Sequence, residues 1–80
     1  MNHPTAAGAL AALREALAVD CDAARAAQHE ARNEPTHTRI YFDGQFLAAA
    51  RAFAHVLVVL GEHPDLDTAI QHIDNGGIQQ

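Results

Sequence analysis

The sequence predicts an all-α protein: an antiparallel helical hairpin with a short third helix, two copies of which are expected to dimerise into a four-helix bundle. Two observations carry the helices. Apolar residues recur at steps of three and four through two long segments, and Pro and Gly punctuate the chain between them. A third concerns size. One 80-residue domain, spanning residues 1–80, must bury segments too long and too apolar for a globule of its mass.

The first helix is expected over about residues 5–33, opened by Pro4 or Thr5. Ala6, Leu10, Leu13, Leu17, Cys21, Ala24 and Ala31 form one narrow stripe along it. Its large side chains lie in the N-terminal half, and the alanines beyond permit close backbone approach. Asn33-Glu34-Pro35 ends the helix, because the residue before a proline is pushed out of the helical region.

The second helix is expected over about residues 36–61. Phe42, Phe46, Ala49, Ala50, Phe53, Leu57 and Leu60 follow the same spacing, and Leu47, Ala54 and Val58 form a second stripe about 100° around. Between Phe46 and Leu60 only Arg51 and His55 are polar. A helix this apolar on several sides must be buried on several sides. Residues 36–43 admit two readings. A cap at Thr36 or Thr38 starts the helix early and tolerates Gly44, whereas Asp43-Gly44 as a turn leaves this stretch extended in a short hairpin. Phe42 sits one turn before Phe46 on the same face, which favours the helix.

Gly61 stops the second helix, and His63-Pro64-Asp65 opens a short third one over about residues 64–75. Leu66, Ala69, Ile70 and Ile73 line one face, and Asn75-Gly76-Gly77 terminates it. The tail Ile78-Gln79-Gln80 is expected to fray.

Length then bears on assembly. A compact 80-residue globule is about 30 Å across, whereas a 28-residue helix is roughly 42 Å long. An elongated hairpin leaves the second stripe uncovered, so a homodimer is expected with Phe46, Phe53 and Leu57 central and Leu47, Ala54 and Val58 completing the interface. The competing arrangement is a monomeric three-helix bundle in which the third helix covers that stripe.

The composition restricts the chemistry. There is no serine, lysine or tryptophan, so a serine nucleophile, a P-loop lysine and a Schiff-base lysine are excluded. A formal charge of −5 and scattered arginines argue against nucleic-acid and anionic-membrane partners. No run of like charge is dense enough for a nucleic-acid mimic. The six histidines show neither His-x-x-x-His nor Glu-x-x-His spacing, so no metal is expected, and His55 lies opposite Phe46 and Phe53, so no haem and no other cofactor. Their joint protonation would move the charge from −5 to about +1, which raises pH-dependent association as one reading and six surface imidazoles as the other. Cys21 reads as a small core residue, with Arg25 one turn later placed to lower its pKa. With no signal peptide visible and one cysteine, the cytoplasm is the expected location.

Nothing converges on catalysis, and no enzyme is expected. Arg14, Arg25 and Arg32 fall within about 20° of one another beside the apolar stripe, and Arg51 and His55 share a face of the second helix. These are the candidate partner contacts, since arginine bordering an apolar surface suits an interface anchor. The function expected is a small protein-binding regulator, an adaptor or inhibitor acting as a homodimer. The alternative is a structural assembly subunit or chaperone-like module packed permanently with a different protein.

Overall fold

A computed structural model describes residues 5–76. It is all-helical, with no strand among the described residues. Helix α1 spans Ala6–Glu30 and tightens into a 3-10 turn at Ala31–Asn33; α2 spans Thr36–Val59 and α3 Leu66–Asp74. Met1–Pro4, with His3, and the tail containing Ile78–Gln80 lie outside the described residues.

Each boundary has a local cause. The Thr5 hydroxyl accepts from the Gly8 N–H at 3.0 Å and caps α1. Glu34 and Pro35 are extended, and the Pro35 carbonyl accepts from Thr38 and Arg39, so α2 starts at Thr36 and residues 36–43 are helical. At the far end Glu62 N–H donates to Leu57 and Gly61 N–H to Val58 while Gly61 takes φ of +78°, the paired bonds of a Schellman motif. That motif reverses the chain. Asp65 then caps α3 by accepting from Thr68 N–H at 2.8 Å, and Gly76 closes it with φ of +90°.

α1 and α2 run antiparallel, and α3 folds back along one side of α2. Cys21, Phe53, Ala54, Ala69 and Ile73 are fully buried, with Phe46, Ala50 and Leu57 beside them. This placement corrects the interface expected from spacing. Phe46, Phe53, Ala54 and Leu57 are enclosed by their own chain, because α3 brings Ala69 and Ile73 onto the stripe that seemed to require a second copy. Ala69 has no side chain beyond Cβ, so the helices approach closely there. Val58 is partly covered by the same packing, and only Leu47, 49% exposed, keeps a largely open position at the edge. The result is a flat body of 49 × 31 × 17 Å.

Candidate functional site

The two broad sides of the hairpin differ. One carries α3 and its attachments. Arg14 forms an ion pair with Glu62, its Nη2 donating to the carboxylate at 2.7 Å, and its guanidinium lies over the Phe53 ring. The hydrogen bond from Arg14 holds the Glu62 carboxyl below the usual carboxylate range. About three turns further along α1, Arg25 Nη2 donates to the Ile73 carbonyl at 2.6 Å with the guanidinium 4.6 Å over Phe46. A cation there satisfies the last turn of α3 and opposes its negative dipole end. The arginine row thus divides. Arg14 fastens the loop before α3, and Arg25 the last turn of α3, to α1, whereas Arg32 stays exposed beside the turn between the long helices, and Arg51 and His55 stay exposed on α2.

Cys21 lies under the same attachment. Burial pushes its thiol up, and that outweighs the lowering by Arg25, so Cys21 is a buried core residue whose thiol is held in its neutral form. His63 and His72 pack with ring centroids 4.8 Å apart, joining the loop before α3 to its last turn, while His29, His37 and His55 are exposed. Among the described residues no three His, Cys, Asp or Glu side chains gather closely enough to hold a metal ion.

The opposite side carries no helix. A shallow trough of about 620 Å³ runs between α1 and α2 there, lined by Leu17, Ala24, Phe42, Ala49 and Ala52, with Asp20 and Gln45 as its polar members. Leu13 and Val59, both largely exposed, and Tyr41, 61% exposed, extend the apolar surface. A second trough of about 460 Å³ lies at the turn end, where Arg32 and Arg39 flank Ile40, itself 64% exposed. Spacing alone passed over Asp20, Ile40 and Tyr41. The signal for Asp20 and Tyr41 was a second set of three-four steps on each helix, built from alanine and therefore faint.

Helix α2 is long and apolar enough, by length and composition, to cross a membrane, with an 18-residue window of mean hydropathy 1.2; a third of that window is buried against the rest of the chain. The same properties are found in core helices of soluble proteins.

The molecule is therefore a three-helix protein with one closed side and one open side. No protein-family model, curated protein or solved structure matches the chain.

Proposed function

We propose that this protein is a small non-enzymatic regulator, an adaptor or inhibitor, that works as a pair of identical chains and binds a different protein. The observation that supports it is where the exposed apolar side chains lie. Leu13, Ile40, Tyr41 and Val59 sit on broad helical surfaces, and the grooves beside them are shallow and open. Catalytic pockets enclose converging polar groups, whereas helical recognition uses apolar anchors on a helix face.

The turn-end trough is the surface offered to the target. Ile40 supplies an apolar anchor, and Arg32 and Arg39 beside it suit an acidic segment of the bound protein. The buried, neutral Cys21 is consistent with a reducing cytoplasm. Affinity capture from the native source, comparing wild type with Ile40→Asp and Arg32→Glu, tests the reading. A stoichiometric protein held by wild type and lost from both variants is expected. Absence of such a protein, or its equal retention by both variants, overturns the reading. A chain that is insoluble unless co-expressed with a neighbouring product would make it an assembly subunit instead.

A further inference from the structure

We propose that a second copy of this chain covers the open side of the hairpin, with α1 of one protomer lying antiparallel on α2 of its partner and Asp20 of each paired with the partner's Arg51. This rests on the reading that the protein works as a pair of chains, and it gives that pair a face opposite to the one the apolar spacing suggested.

The first argument is area. A folded chain of 8.6 kDa exposes about 4,700 Å² by the scaling of surface with mass. This one exposes 5541 Å². The excess comes with flatness: the shortest dimension is 17 Å against 31 Å for the next. Stacking two such bodies through their open sides roughly doubles the short dimension and produces a near-square cross-section.

The second argument is shape. On α1 the open side presents Leu13, Ala16, Asp20, Ala23 and Ala27; on α2 it presents Tyr41, Gln45, Ala48, Ala52 and Val59. Both sets follow the three-four steps of a helix–helix seam, the α2 set passing through the exposed His55 between Ala52 and Val59. The alanines at their centres allow the short end of the 8–10 Å range of interaxial distances.

The third argument is charge, and it selects the partner. The Gln28 side-chain amide donates to Asp43 at 2.7 Å and Arg25 lies over Phe46, pairs whose numbers sum to 71, while Arg14 over Phe53 gives 67, so the α1–α2 register at Asp20 falls between these two sums. Asp20 therefore stands within about one helical turn of the level of Arg51. Within the chain the two point to different sides, and among the described residues neither has a hydrogen-bond or ion-pair partner. A two-fold axis parallel to the helices preserves level while placing α1 opposite the partner's α2. It brings Asp20, the charge at the middle of the open side of α1, to the partner's Arg51 at the edge of the α2 seam, and it does so twice. The same register sets Ala23 against the partner's Ala48, small residue on small residue. It also sets Glu30 level with the partner's Tyr41, whose hydroxyl can donate to a carboxylate. An unrelated helix would not bring an arginine to this level by symmetry; a second copy does.

Sedimentation equilibrium of wild type, Asp20→Arg, Arg51→Asp and the double variant tests this, with circular dichroism verifying that all four are helical. Both positions are exposed, so the variants retain the fold. The expected result is a two-chain mass for wild type, association weakened roughly tenfold or more in each single variant, and recovery to within a few-fold of wild type in the double. A wild-type dimer that neither single variant weakens, or single variants that the double does not rescue, overturns this face and leaves the pair itself standing. A wild type that remains at 8.6 kDa at 100-fold dilution and at its highest soluble concentration alike overturns the pair, while capture of a target through Ile40 would still uphold the protein-binding reading.

Discussion

Replacing Ile73 by alanine tests the central feature of the fold, the closure of α2 by α3. Ile73 is fully buried and belongs to the cluster with Cys21, Phe46, Ala50 and Phe53. Truncating such a side chain costs about 2–5 kcal/mol, from lost transfer free energy and the cavity left behind. A domain of 80 residues has about 4–12 kcal/mol to lose, at 0.05–0.15 kcal/mol per residue. The substitution therefore removes a large share of the total. Its first effect falls on α3, because nine residues are fewer than the ~12–15 that an isolated helix needs even with good propensity. Released from Ile73, α3 has no reason to remain helical, and Phe53 and Leu57 become exposed.

The assay is urea unfolding followed at 222 nm at one fixed protein concentration, with hydrogen exchange read at the amides of α3. The expected result for Ile73→Ala is a loss of about 2–5 kcal/mol, a native ellipticity lower by up to about one sixth, and protection lost in α3 before the long helices. Ile73→Val should lose only about 0.5–1.5 kcal/mol. An alanine variant within ~0.5 kcal/mol of wild type, with α3 amides still protected, would refute the packing described above and return Phe46, Phe53 and Leu57 to an interface between copies.

Three further outcomes follow from local geometry. Gly44 is in the interior of α2 with open space around the position of a Cβ, so Gly44→Ala should raise stability by about 1 kcal/mol; Gly61→Ala, where φ is +78°, should lower it by about 1 kcal/mol despite equal room, and thermal melts compare the two. Arg14 lowers the Glu62 pKa, so the stability this pair supplies is complete above the ordinary value of 4.5 and is lost as pH falls through the lower folded value. Glu62→Gln should therefore flatten the acid side of the stability profile and cost under about 1 kcal/mol at neutral pH, as befits a solvent-screened pair. Cys21 should react with a thiol reagent at pH 8 only at the rate of opening, faster in Ile73→Ala; labelling of the native protein at the rate of a free thiol would contradict its burial.

The helices were legible because their signals are local. Three-four spacing, the Thr5 cap, Glu34-Pro35 and Gly61 each act within a turn or two of where they stand. Tertiary partnership was not local. The sequence shows that the stripe through Phe46, Phe53 and Leu57 needs a cover and that Leu66, Ala69, Ile70 and Ile73 need a surface, but whether these satisfy one another depends on the direction in which the chain leaves Gly61. The arginine row misled for the same reason. A helical wheel places Arg14, Arg25 and Arg32 together, yet the return of α3 reaches only the first two, through Glu62 and the Ile73 carbonyl.

The open side was harder to read because alanine is a weak marker. Burying a single methyl contributes little, at about 25 cal/mol per Å² of apolar area, so a face built on Ala16, Ala23, Ala27, Ala48 and Ala52 has no residue whose exposure looks costly by itself. Its significance lies in the sum and in the fit. That origin constrains the strength of any pair it forms. Large anchors of the type that dominate interface energetics, Tyr, Trp and Arg, are represented on this side by Tyr41 and by Arg51 at its rim. Association through such a face must depend on close helix approach and on the few groups that set register. For that reason a charge reversal at Asp20, a residue that contributes almost no apolar area, is the substitution to which the pair is most sensitive.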